Sequence, residues 1–77
     1  MTPRQGAALA KLEARTGSTA TSARYNSAGN VSLSWTDDRG SWRVLVCPRG
    51  FVWSTQRRHD GGHFTIAAAE DCLPAGL

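Results

Sequence analysis

Eight arginines against one lysine set the chemistry this chain can offer. A guanidinium is planar and stays charged, and its paired N–H donors match the oxygens of phosphate or carboxylate. Residues 24–58 hold six arginines against two aspartates, a local charge of +4, whereas residues 59–77 carry three acids and neither Lys nor Arg. That distribution suits an anionic partner near the middle of the chain, although an overall charge of +3 makes only a weak field. Arg43, Arg49, Arg57 and Arg58 are the candidate nucleic-acid contacts. Arg43 falls mid-strand between serines, Arg49 at a turn, and Arg57 and Arg58 just after a strand. Arginines and small hydroxyl side chains are the groups that contact phosphate.

Other chemistries fit less well. Cys47, His59, His63 and Cys72 are ligand types that zinc favours, but no cysteine pair has finger spacing. Cys47 with a histidine imitates a thiol nucleophile and its base, yet so small a fold offers little pocket, and cysteine also buries as a small hydrophobe. Asp37-Asp38 form a turn, His59-Asp60 are loop neighbours, and the glycines match no phosphate-binding loop. The expectation is a non-enzymatic binding protein with no metal and no cofactor.

These side chains need a scaffold, and 77 residues supply one thin core. Eleven of the apolar residues are alanine, and Leu, Ile, Val and Phe together number only 13, so the three tryptophans carry much of the buried area. Thr2-Pro3-Arg4-Gln5 has the form of a capping box with proline at the first helical position, and Gly17 supplies a left-handed stop. A helix over residues 3–16 follows, with Leu9, Leu12 and Thr16 as its apolar stripe and Ala8 beside it. Residues 18–30 form a polar connector, either a loop pinned by Tyr25 or a strand whose partner is hidden.

Alternation then predicts strands over 31–36, 42–47 and 51–56, and a short helix over 66–73. The expected fold class is α+β, in the order α-β-β-β-α: a three-stranded antiparallel meander with helices packed on one face. Four-residue loops would pair Trp35 with Trp42, Val46 with Phe51, and align Leu33, Val44 and Trp53. Arg43 would then stand between Ser34 and Ser54. A competing register makes Gly50 the bulge residue of a three-residue loop and exposes Phe51 and Trp53 as a stacking platform for single strands.

The alternative function is protein binding, as an adaptor, inhibitor or dimerisation module. Leu45, Val52 and Arg43 would form a mixed apolar and cationic patch, and Val31–Thr36 would be an open edge strand. The order helix, three strands, helix resembles double-stranded RNA-binding domains. Residues 31–73 also resemble the three-stranded DNA-binding modules of plant transcription factors and phage-type integrases. Both resemblances rest on element order. Where double-stranded RNA-binding domains begin their second helix with lysines, Phe64–Asp71 is neutral and then acidic. The partner is therefore expected to be nucleic acid or another protein, including a second copy of the chain. The apolar stretch Gly6–Ala10 is too short for a signal core, and no run reaches membrane-span length, so a cytoplasmic location with reduced thiols is expected.

Overall fold

A computed structural model describes residues 1–58 and 62–68. It contains α1 (Pro3–Thr16) and a five-stranded antiparallel sheet, β1 (Thr21–Arg24), β2 (Val31–Asp37), β3 (Gly40–Val46), β4 (Val52–Arg58) and β5 (Phe64–Ile66), with spatial order equal to chain order. The class is α+β with a meander, as expected, but there are five strands rather than three.

Helix α1 follows its sequence signals. The Thr2 hydroxyl accepts from the Gln5 N–H, Gln5 Oε1 accepts from the Thr2 N–H, and Gly17 ends the helix at φ +72° with its N–H on the Glu13 carbonyl. Gln5 does more than cap. Its Nε2 donates to the carbonyls of Gly29 at 2.8 Å and Val46 at 3.1 Å, which ties the first turn to one end of the sheet.

The 18–30 connector contains the hidden strand. All four residues of β1 are exposed, so no alternation marks it. It pairs with β2 through a turn in which Asn26 Oδ1 accepts from the N–H groups of Ala28 and Asn30. Val31–Thr36 is consequently an interior strand and not the open edge expected of it. The expected helix over 66–73 is also corrected: Phe64–Ile66 is a strand, Ala67 and Ala68 are not helical, and residues 69–73 lie outside the described residues. Bulky and β-branched residues suit Phe64–Ile66 to a sheet. The Ala67 N–H on the Thr55 carbonyl, and the Thr55 hydroxyl on the Ala67 carbonyl, continue the pairing past β5. The element-order resemblances therefore do not carry over to the described fold.

Register holds in the first hairpin and changes in the second. Trp35 faces Trp42, Leu33 faces Val44, and Val31 faces Val46 as expected. After Val46 the chain takes the competing register. Gly50, at φ +92°, follows a turn closed by its N–H on the Cys47 carbonyl, and Val46 pairs with Val52 instead of Phe51. A bulge then leaves Trp53 unpaired, so Leu45 faces Ser54, Val44 faces Thr55, and Arg43 faces Gln56. Two one-residue slips restore the original alternation. The core keeps Leu12, Val31, Leu33, Trp35, Trp42, Val44 and Val46 on one side beneath α1, with Ala8, Leu9 and Ala20 around it. Phe51 and Trp53 stay outside, 66% and 52% exposed.

Candidate nucleic-acid interface

Because Leu33 and Val44 point at the helix, their strand neighbours point away from it. Three cross-strand rows make up this helix-free face: Thr21, Ser34, Arg43, Gln56 and Ile66; Ala23, Ser32, Leu45 and Ser54; and Thr36, Ser41, Arg58 and Phe64. Six of these thirteen are hydroxyl residues, two are arginines, and none is acidic.

The arginines converge. Arg43 is half-buried, and its Nε and Nη2 both donate to Gln56 Oε1, at 2.8 and 2.5 Å. Gln56 is itself buried, with its Nε2 on Ser54 Oγ at 3.2 Å. The Arg43 guanidinium lies 4.4 Å from the centre of the Phe64 ring, and that of Arg58 lies 5.3 Å from the same ring. One aromatic ring thus gathers two like charges. The ring's negative face attracts each cation, but the cations repel one another, and an oxyanion shared between them would relieve that repulsion.

Tyr25 and Trp53 frame the adjacent row. Their rings meet edge to face at 6.0 Å, although β2 and β3 separate their strands. Alternation from Ala23 puts Tyr25 on the helix-free side. The contact therefore arches over the row of Ser32 and Leu45, and Leu45 is only 1% exposed. This corrects the expected Leu45–Val52–Arg43 patch: Leu45 is covered, and Val52 lies opposite Val46 rather than Leu45. The register change at the Gly50 turn is what moves Val52 away from Leu45.

The four expected arginines do not assemble as one group. Arg43 and Arg58 share Phe64. Arg57 lies across from Trp42, its guanidinium 4.9 Å from that indole and its Nη2 on the Arg39 carbonyl at 2.9 Å. Arg39 approaches Trp42 at 4.6 Å and pairs with Asp37 at 3.0 Å. Asp37 also accepts from the Trp42 indole N–H at 2.9 Å. Partial burial pushes the Asp37 carboxyl upward, but the hydrogen bond from Trp42, followed by those from Arg39, holds it below the usual range. Arg49 is exposed in the β3–β4 turn, at the sheet end opposite Arg58.

Phe64, Gln56 and Tyr25 are the participants that sequence reasoning missed. Phe64 carried one usable signal, its place before β-branched Thr65 and Ile66. Cys47 is half-buried, and the Phe51 backbone hydrogen bond chiefly lowers its thiol below the ordinary value against an opposing contribution from burial. Among the described residues no three of His, Cys, Asp and Glu gather as a metal site. His59 and Cys72 lie outside the described residues. No described helix is long and apolar enough to cross a membrane. No family model, curated protein or solved structure matches this chain.

Proposed function

We propose that this protein is a small, non-enzymatic binder of single-stranded nucleic acid that uses its helix-free sheet face. The observation that carries the reading is the pair of guanidiniums on Phe64, set among hydroxyl groups with no acid in the same rows. Arg43 and Arg58 would share a backbone phosphate, with Ser34, Thr36 and Ser41 as neighbouring hydroxyls. Trp53 and Tyr25, both substantially exposed, offer ring faces for unpaired bases. A duplex hides those base faces, so the aromatic component favours single strands. Arg49, in the β3–β4 turn, and Arg57, on the opposite side of the sheet, would contribute charge from outside this face.

Fluorescence anisotropy with labelled oligo-dT, oligo-U and a matched duplex tests this. Micromolar or tighter single-strand binding at about 50 mM salt, weakening steeply as salt rises, is expected because phosphate-driven affinity is greatest at low salt. Binding weaker than about 1 mM under those conditions would overturn the reading. Protein binding has support from a different feature: β1 is a fully exposed edge strand that could accept a partner strand. A salt-insensitive protein partner, with no affinity for either oligonucleotide, would favour it.

A further inference from the structure

The helix covers only part of its side of the sheet. Leu12 packs over β2 and β3, and between α1 and β4 a groove of about 890 Å³ remains open. Leu12, Leu33 and Val44 line its depth, while Ala7 and Ala8 keep the helix wall thin. Phe51, Val52 and Thr55 border the opposite wall, and Phe51 is more than half exposed. Among the described residues the polar lining is one-sided: Arg4, Lys11 and Arg49 are cationic and none is acidic.

Backbone geometry places two of those cations at one end. Gly50 sits so close to the first turn of α1 that a Cβ there would lie 3.0 Å from the Arg4 carbonyl oxygen. Arg49, the preceding residue, is therefore held beside Arg4. Lys11 lies two helical turns away, a rise of about 10 Å. Apolar depth, a cationic end and a volume within the roughly 300–1,000 Å³ usual for ligand pockets describe a complement to an anionic amphiphile.

We propose that this groove binds a small organic anion with an extended apolar body, such as a medium-chain carboxylate. The carboxylate would lie between Arg4 and Arg49, and the hydrocarbon would run along Leu12 and Val44 toward Phe51 and Val52. Charge complementarity selects this occupant over a neutral or cationic one. The site lies on the other side of the sheet from the Arg43–Arg58 pair and does not depend on nucleic-acid binding.

Isothermal titration calorimetry with dodecanoate below its micellar concentration tests the proposal. Saturable binding is expected, at least about tenfold tighter than for dodecyltrimethylammonium or dodecanol. Arg4→Glu with Arg49→Glu should weaken dodecanoate about tenfold or more. Ala7→Phe, at an exposed helical position, should block it by filling the groove. Arg43→Ala with Arg58→Ala should leave dodecanoate binding unchanged, which separates this site from the nucleic-acid face. Far-UV circular dichroism should show the fold retained at saturation. Equal affinity for the cationic amphiphile, no saturation below about 1 mM, or a dimer by light scattering that prevents dodecanoate binding would each overturn the proposal.

Discussion

Gln56 determines how freely Arg43 can act. Two guanidinium nitrogens already donate to its buried Oε1, so Arg43 is positioned before any ligand arrives but has fewer donors to give. Arg43→Ala is therefore not a silent surface change. It removes two donors from a buried carbonyl and should cost about 1–2 kcal/mol in denaturant unfolding, while weakening oligonucleotide binding. Arg58→Ala, exposed, should cost within about 0.5 kcal/mol and still reduce affinity, which separates a binding role from a structural one. Trp42 is the opposite case. It is 1% exposed and joined to Asp37, so Trp42→Ala should cost about 3–5 kcal/mol, most of a small domain's stability. Asp37 adds a pH dependence. Its folded-state carboxyl is depressed, so its stabilisation is present above the unfolded value of about 3.9 and lost as pH falls through the folded value. Urea melts from about pH 6 down to about pH 3 should show Asp37→Asn with a flatter acid-side decline than the parent protein.

Elements with two independent signals were legible, and elements with one were not. Helix α1 had a capping box, a proline and a terminal glycine, and its bounds follow. Strands β2 and β3 had both alternation and a tryptophan pair to fix register. Strand β1, with every residue exposed, had no buried face to betray it. The β3–β4 hairpin exposed the limit of counting loop residues. Hydrophobic alignment favoured Trp53 opposite Val44, yet the glycine turn and the bulge together moved Thr55 there. The second slip cancels the parity change of the first, so the core of β2 and β3 was legible, whereas Phe51 and Trp53, expected on the same face, lie outside it and Leu45, expected in the open, is buried. For the same reason Phe64 stayed hidden: its meeting with Arg43 requires a fifth strand that alternation over three residues cannot announce. Gly50→Ala tests the turn directly. Positive φ and a 3.0 Å approach to the Arg4 carbonyl both oppose a side chain, so a loss of about 1–3 kcal/mol in thermal or denaturant unfolding is expected.

At the scale of the whole molecule, two surfaces of different character lie on opposite sides of one sheet: hydroxyls with paired guanidiniums on one, an apolar groove with a cationic end on the other. The identity of spatial and chain order among the strands has a kinetic consequence. Each hairpin can close from a short loop, so most of the loop-closure entropy is met in small instalments. The long closure is the seating of α1, where Gln5 reaches Val46 across 41 positions. The sheet can therefore assemble before the helix docks. In stopped-flow chevrons, Gln5→Ala should accelerate unfolding far more than it slows refolding, whereas Leu33→Ala and Val44→Ala should slow refolding. Helix docking would then govern how long a folded molecule survives, while the meander governs how quickly one forms.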